Sequence, residues 1–145
     1  MRRTFLFAAF LLIASTSLFA APALKIRDAW VLEPNPAREI GAGFMTIENP
    51  GDEAVAIVGA SSKAAEVVEI HQMKMEDGIM KMRMLDRLEI PAHSSVKLEP
   101  GGLHLMLIRL TGKLVEGDSV EIELKLADGE HLEVTAPVRK REMEH

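Results

Sequence analysis

From residue 24 to about residue 138, apolar and polar positions alternate with period two, and turn-forming clusters interrupt them every few residues. That is the pattern of short strands with one wet face, not of helices. The spacing predicts strands at 25–32, 42–48, 54–59, 67–75, 79–85, 96–99, 103–110, 119–126 and 131–138. Asn49-Pro50-Gly51-Asp52, Asp77-Gly78, Pro100-Gly101-Gly102, Glu116-Gly117-Asp118 and Asp128-Gly129 supply the turns between them. Only Ser61–Glu66 reads as a short helix. Val120, Ile122, Leu124 and Leu126 share one face, and Glu121, Glu123 and Lys125 the other, so this strand is scaffold. Eight or nine such strands, with no internal repeat or linker, predict a single all-β domain: an antiparallel sandwich or Greek-key barrel.

The Asp77-Gly78 pair predicts a type I′ hairpin. A two-residue turn there sets His71 opposite Met84, Met73 opposite Met82 and Met75 opposite Met80. All six share one face, with Gln72, Lys74, Lys81 and Arg83 on the other. Two readings of this face stand side by side. Methionine is a common gap-filler of cores; yet Leu, Ile and Val are missing from the face, and a buried histidine needs a partner. A second constellation follows Pro100-Gly101-Gly102. His104 and Met106 lie two apart on a strand, about 6.7 Å between α-carbons, while Leu103, Leu105 and Leu107 point the other way into an apolar layer.

Composition narrows the chemistry. The 145 residues contain no cysteine and nine methionines, which excludes disulfides, thiolate zinc sites, iron–sulfur clusters and cysteine nucleophiles. Thioether with imidazole suits a soft ion, and copper, foremost Cu(I), is the physical favourite. Zinc rarely recruits methionine, and no acidic loop suits calcium or magnesium. The N-terminal 23 residues carry Arg2-Arg3, the apolar run from Phe5 to Ala14 and small residues including an Ala-x-Ala pattern, the layout of a secretory signal peptide cleaved after Ala20 or Ala23. The run is shorter than the roughly 20 residues of a membrane span, and no cysteine follows it for lipid attachment, so the mature protein is expected to be soluble and exported. Removing two arginines takes the formal charge from −5 to −7, with 15 basic and 22 acidic residues left. An acidic surface does not suit nucleic acid or anionic membrane.

The spacing His71-x10-Met82-x21-His104-x-Met106 resembles the motif of the periplasmic PCuAC-type copper chaperones, with Met73 as the methionine that often follows the first histidine. Asp28-Ala29-Trp30, Gly43-Phe44-Met45-Thr46-Ile47-Glu48-Asn49, Val68-Glu69-Ile70-His71 and Pro100-Gly101-Gly102-Leu103-His104-Leu105-Met106-Leu107 are similar as well, so the resemblance runs from Leu24 to Val138. It implies a cupredoxin-like β-sandwich over residues 24–145. Copper would be held by His71, Met82, His104 and Met106, with Met73 auxiliary, as Cu(I) with Cu(II) the alternative state. Delivery would be toward the dinuclear copper centre of cytochrome c oxidase or through a thiol-bearing assembly factor. Phe44 stands where the family often has tyrosine. The ending Met143-Glu144-His145 is shorter than the metal-binding tails of some relatives, which puts a second copper there in doubt.

Two other classes compete. One is an exported structural or adhesive sandwich with a methionine-rich core and no metal. The other is an enzyme; Ser94 and Ser95 beside His93 lack a third catalytic member, and blue-copper electron transfer needs a cysteine. No enzymatic activity is expected, and His93 and His131 are expected at exposed turns or strand ends.

Overall fold

A computed structural model describes residues 24–142. The proposed signal segment, residues 1–23, and the terminal Met143-Glu144-His145 lie outside the described residues. Ten strands follow in chain order: β1 (Lys25–Leu32), β2 (Ile40–Asn49), β3 (Val55–Ser61), β4 (Ala65–Glu76), β5 (Ile79–Leu85), β6 (Leu88–Ile90), β7 (Ser94–Leu98), β8 (Leu103–Leu110), β9 (Ser119–Leu126) and β10 (His131–Arg139). All nine expected strands are present. The tenth, β6, has only three residues, Leu-Glu-Ile, too few to display an alternation, although both its apolar side chains are buried.

Ser61–Glu66 is not a helix. Ser62 instead builds a tight turn: its Oγ accepts from the Ala64 N–H at 3.2 Å, its carbonyl accepts from the Ala65 N–H at 3.4 Å, and its hydroxyl donates to the Glu121 carbonyl at 2.6 Å. Serine's preference for bonding nearby backbone favours a turn over a helix interior, and Ala65 and Glu66 are taken into β4.

The sheet runs β5-β4-β8-β7-β2-β1-β10-β9-β3-β6, and the further pairing of β4 with β3 closes eight strands into a barrel. Pairing is antiparallel except for two short parallel contacts, Val31–Leu32 with Val138–Arg139 and Leu98 with Leu103. Strand β5 extends the sheet beyond β4, and β6 extends it beyond β3. Val68 and Ile70 of β4 point inward opposite Leu107 and Leu105 of β8, and join Met45, Ile47, Ile57, Val120, Ile122 and Leu124 in one core. Burying such side chains is worth about 1.5–3 kcal/mol each.

Strand β4 is paired with β8 only as far as Gln72, opposite Leu103. Beyond it, Met73 keeps one backbone bond toward β8, its N–H donating to the Gly102 carbonyl at 3.0 Å, and Lys74–Glu76 pair only with β5; the hairpin register is Met73–Met82, Met75–Met80 and Glu76–Ile79. The hairpin therefore leaves the barrel as a two-stranded ribbon. Asp77 and Gly78 close it with φ of 51° and 76°, the conformation a type I′ turn demands. A ribbon with no second layer cannot bury its side chains, so Met75, Met80 and Met82 are exposed; Met84, opposite His71 on the end strand β5, is exposed as well. This overturns the methionine-core reading; Met45 is the methionine that enters the core.

Leu105→Ala and Leu107→Ala should each lower the metal-free unfolding free energy by about 2–5 kcal/mol in urea denaturation. Met82→Ala, at a position 46% exposed, should change it by about 0.5 kcal/mol or less. Equal losses at the three positions would contradict the assignment of faces.

Candidate metal centre

On the outer side of the barrel, β4 and β8 set His71 directly opposite His104. The ring centroids lie 5.8 Å apart with planes inclined by 42°. Neither ring is at the open surface: His104 is 6% exposed and the His71 side chain 13%. Each imidazole has one nitrogen committed. His71 Nε2 donates to the Glu69 carboxylate at 2.7 Å, and His104 Nδ1 donates to the Gly102 carbonyl at 3.2 Å. In a neutral imidazole, donation from one ring nitrogen leaves the other as a bare lone pair. For His71 that atom is Nδ1, which is buried and has no hydrogen-bond partner among the described residues. An orphaned buried acceptor is rare and costly in a folded protein, and a metal ion would satisfy it.

The ionisation state suits such a role. Burial pushes the His104 imidazole below its ordinary value; the hydrogen bond to Gly102 works against that shift, and proximity to His71 adds to it. Neutral imidazole is the form that coordinates a metal.

Around the histidines lie the thioethers. Met73 and Met82, paired across the hairpin, line one surface depression together with His104 and Met106. Ala42 and Phe44 of β2 floor it, the 33–38 segment and Ile40 form one wall, and Pro100-Gly101 another. Phe44 is itself buried and leans on Trp30, their centroids 4.7 Å apart. Met84 pairs with His71 on the same face but stands at the exposed edge. Met73, Met82, His104 and Met106 thus share one depression, while His71 stands beside it, opposite His104, and is not among its lining residues. His93 and His131 are elsewhere, on a turn and at a strand end. They are exposed and partnered by Asp52 at 2.8 Å and Glu123 at 2.6 Å.

Two features of the site were missed in the sequence. Glu69 sits two residues before His71, so strand parity alone could have placed its carboxylate on the ligand face. The wall from residues 33–38 gave no such signal, because an irregular loop has no periodicity to read. Chemically, the site offers two imidazole nitrogens and up to three thioether sulfurs. Among the described residues, no three His, Asp or Glu side chains gather into an alternative site for a harder ion. Soft, uncharged donors favour a soft monovalent cation over a divalent one.

Comparison with known proteins identifies the family and the fold. The family described as "Putative lipoprotein LpqE-like" matches residues 24–138, the span over which the sequence resemblance runs. A relative from Leifsonia xyli subsp. xyli, "Putative lipoprotein Lxx21020", is 31% identical over 120 residues, covering 82% of this chain and 71% of that one. The copper-bound PCuAC domain from PmoF2 superposes with a TM-score of 0.71 at 21% identity, covering 85% of this chain and 97% of the domain. The solution structure of Cu(I)-DR1885 from Deinococcus radiodurans gives a TM-score of 0.68 at 32% identity, covering 84% and 81%. By sequence and by fold together, the chain belongs to the LpqE-like family and has the architecture of the PCuAC domains.

Proposed function

We propose that this protein is an exported copper carrier that binds one Cu(I) through His71, His104, Met82 and Met106, with Met73 in reserve, and passes it to an acceptor. The observation that carries the reading is the facing histidine pair, each ring held by one nitrogen and bare at the other, beside a depression walled by thioethers. The name of the Deinococcus protein records Cu(I), and that of the PmoF2 domain records bound copper; both support the same cargo here. Cu(I) is favoured over Cu(II) because every proposed donor is neutral and three are thioethers. Neutral ligands at an accessible depression suit release as well as capture.

Export to the periplasm is supported by the signal-like layout of residues 1–23 and by the lipoprotein names of the relatives. The sequence has no cysteine to receive a lipid. The acceptor we propose is the copper subunit of cytochrome c oxidase, or a thiol-bearing factor serving its dinuclear centre. Carriage rather than catalysis is the role we propose.

Competition against a Cu(I) chelator under anaerobic conditions should give one tight equivalent. Its affinity should fall by more than tenfold in His71→Ala, His104→Ala and Met106→Leu. Loss at neither histidine would refute the site. Glu69→Ala frees the His71 tautomer and should cost about 10–100-fold in affinity, the range for partners that orient a ligand. An unchanged affinity would deny Glu69 that role.

The depressed His104 ionisation also has a sign. Its folded value lies below the ordinary 6.5, so between the two values the unfolded chain binds more protons than the folded one. The contribution of His104 to apo stability is therefore complete above about pH 6.5 and is lost as pH falls toward the folded value. Urea midpoints measured from pH 8 down to pH 5 should decline, and His104→Gln should flatten that decline. A midpoint rising on acidification through the same window, and levelled by His104→Gln, would contradict the burial.

A further inference from the structure

Beyond the pair Met73–Met82 the hairpin carries one more directly opposed methionine pair, Met75 with Met80. It lies two residues further along the ribbon, about 6.8 Å from the first by strand rise, and just before the Asp77-Gly78 turn. Directly opposed positions bring β-carbons within about 4.5–5.5 Å, close enough for two flexible thioethers to grip one ion. Met75 is 60% exposed and Met80 45%, so neither contributes to a core, and both are open to a partner.

The charge pattern points the same way. Lys74 and Lys81 are opposed on the other face, where Lys81 and Arg83 pair with Glu76 at 3.5 and 2.8 Å. Ile79 lies on that face too. Among the hairpin's own residues, the methionine face carries no ammonium and no aliphatic side chain; Arg38, Ile40 and Arg141 line the depression beside Met73 and Met82, and none of the three is on the hairpin.

We propose that Met75 and Met80 form a second, outer Cu(I) station at the hairpin tip, through which copper leaves the inner site. The proposal rests on the copper reading above. Cu(I) would keep its charge and its electrons throughout: bonds from the inner imidazoles and thioethers break as bonds to Met75 and Met80 sulfur form. Thioethers carry no proton, so the outer step releases none. With two neutral donors and no imidazole, the station binds more weakly than the inner site, as an exit position must.

The test uses the mature protein with its methionine methyls carbon-13 labelled, titrated anaerobically with Cu(I) and followed by NMR. The first equivalent should shift the ε-methyls of Met82 and Met106, and the second those of Met75 and Met80. The double variant Met75→Leu/Met80→Leu should keep first-equivalent affinity within about twofold and lose the second step. It should also slow transfer of pre-bound Cu(I) to an added Cu(I) chelator at least threefold. Met75 and Met80 methyls that stay unmoved by excess Cu(I), while Met82 and Met106 respond to the first equivalent, would overturn the outer station and spare the inner site. No movement at any methionine would overturn both. Transfer as fast in the double variant as in the wild type would remove the exit role.

Discussion

Strand β4 meets β8 in a register that sets Ile70 against Leu105 on the inside of the barrel and, one residue on, His71 against His104 on the outside. Because side chains alternate with period two, these two facts are one. A slip of a single residue would turn the leucine layer outward and the candidate donors into the core. Leu105 and Leu107 are wholly buried, and each contributes on the order of 1.5–3 kcal/mol to the registered state. The hydrophobic effect thereby positions the imidazoles without touching them. The Gly102 carbonyl and the Glu69 carboxylate then choose which nitrogen of each ring is bare.

From this anchored base the donor set grades outward. His104 is buried, His71, Met73 and Met106 are partly buried, and Met82, Met80 and Met75 on the ribbon are exposed, Met75 near the tip most of all. Rigid, desolvated nitrogens suit affinity, and exposed, flexible thioethers suit exchange. A carrier needs both, since an ion held only by buried ligands would be slow to leave. The absence of cysteine from the sequence removes the thiolates that would hold copper more firmly.

Much of this was legible before any coordinates. The Asp77-Gly78 turn fixed the hairpin register, and the observed partners Met75–Met80, Met73–Met82 and His71–Met84 are those it predicts. Parity likewise separated His104 and Met106 from Leu105 and Leu107. What escaped the sequence is what local pattern does not encode. Strand β6 is too short for alternation, and Ser62 converts a helix-like stretch into a turn by accepting from the Ala64 N–H. The exposure of the methionine face depends on β4 outrunning β8 after Gln72, which only the assembled sheet reveals. The wall of the depression from residues 33–38 is tertiary in origin for the same reason.

The central claim, that imidazole and thioether jointly hold the metal, is most directly tested by X-ray absorption at the copper edge of the mature protein loaded with one equivalent of Cu(I). The account predicts a low-coordinate Cu(I) shell containing both nitrogen and sulfur scatterers, with the sulfur contribution reduced in Met82→Leu and Met106→Leu. A shell of nitrogen and oxygen alone, unchanged in both variants, would contradict it.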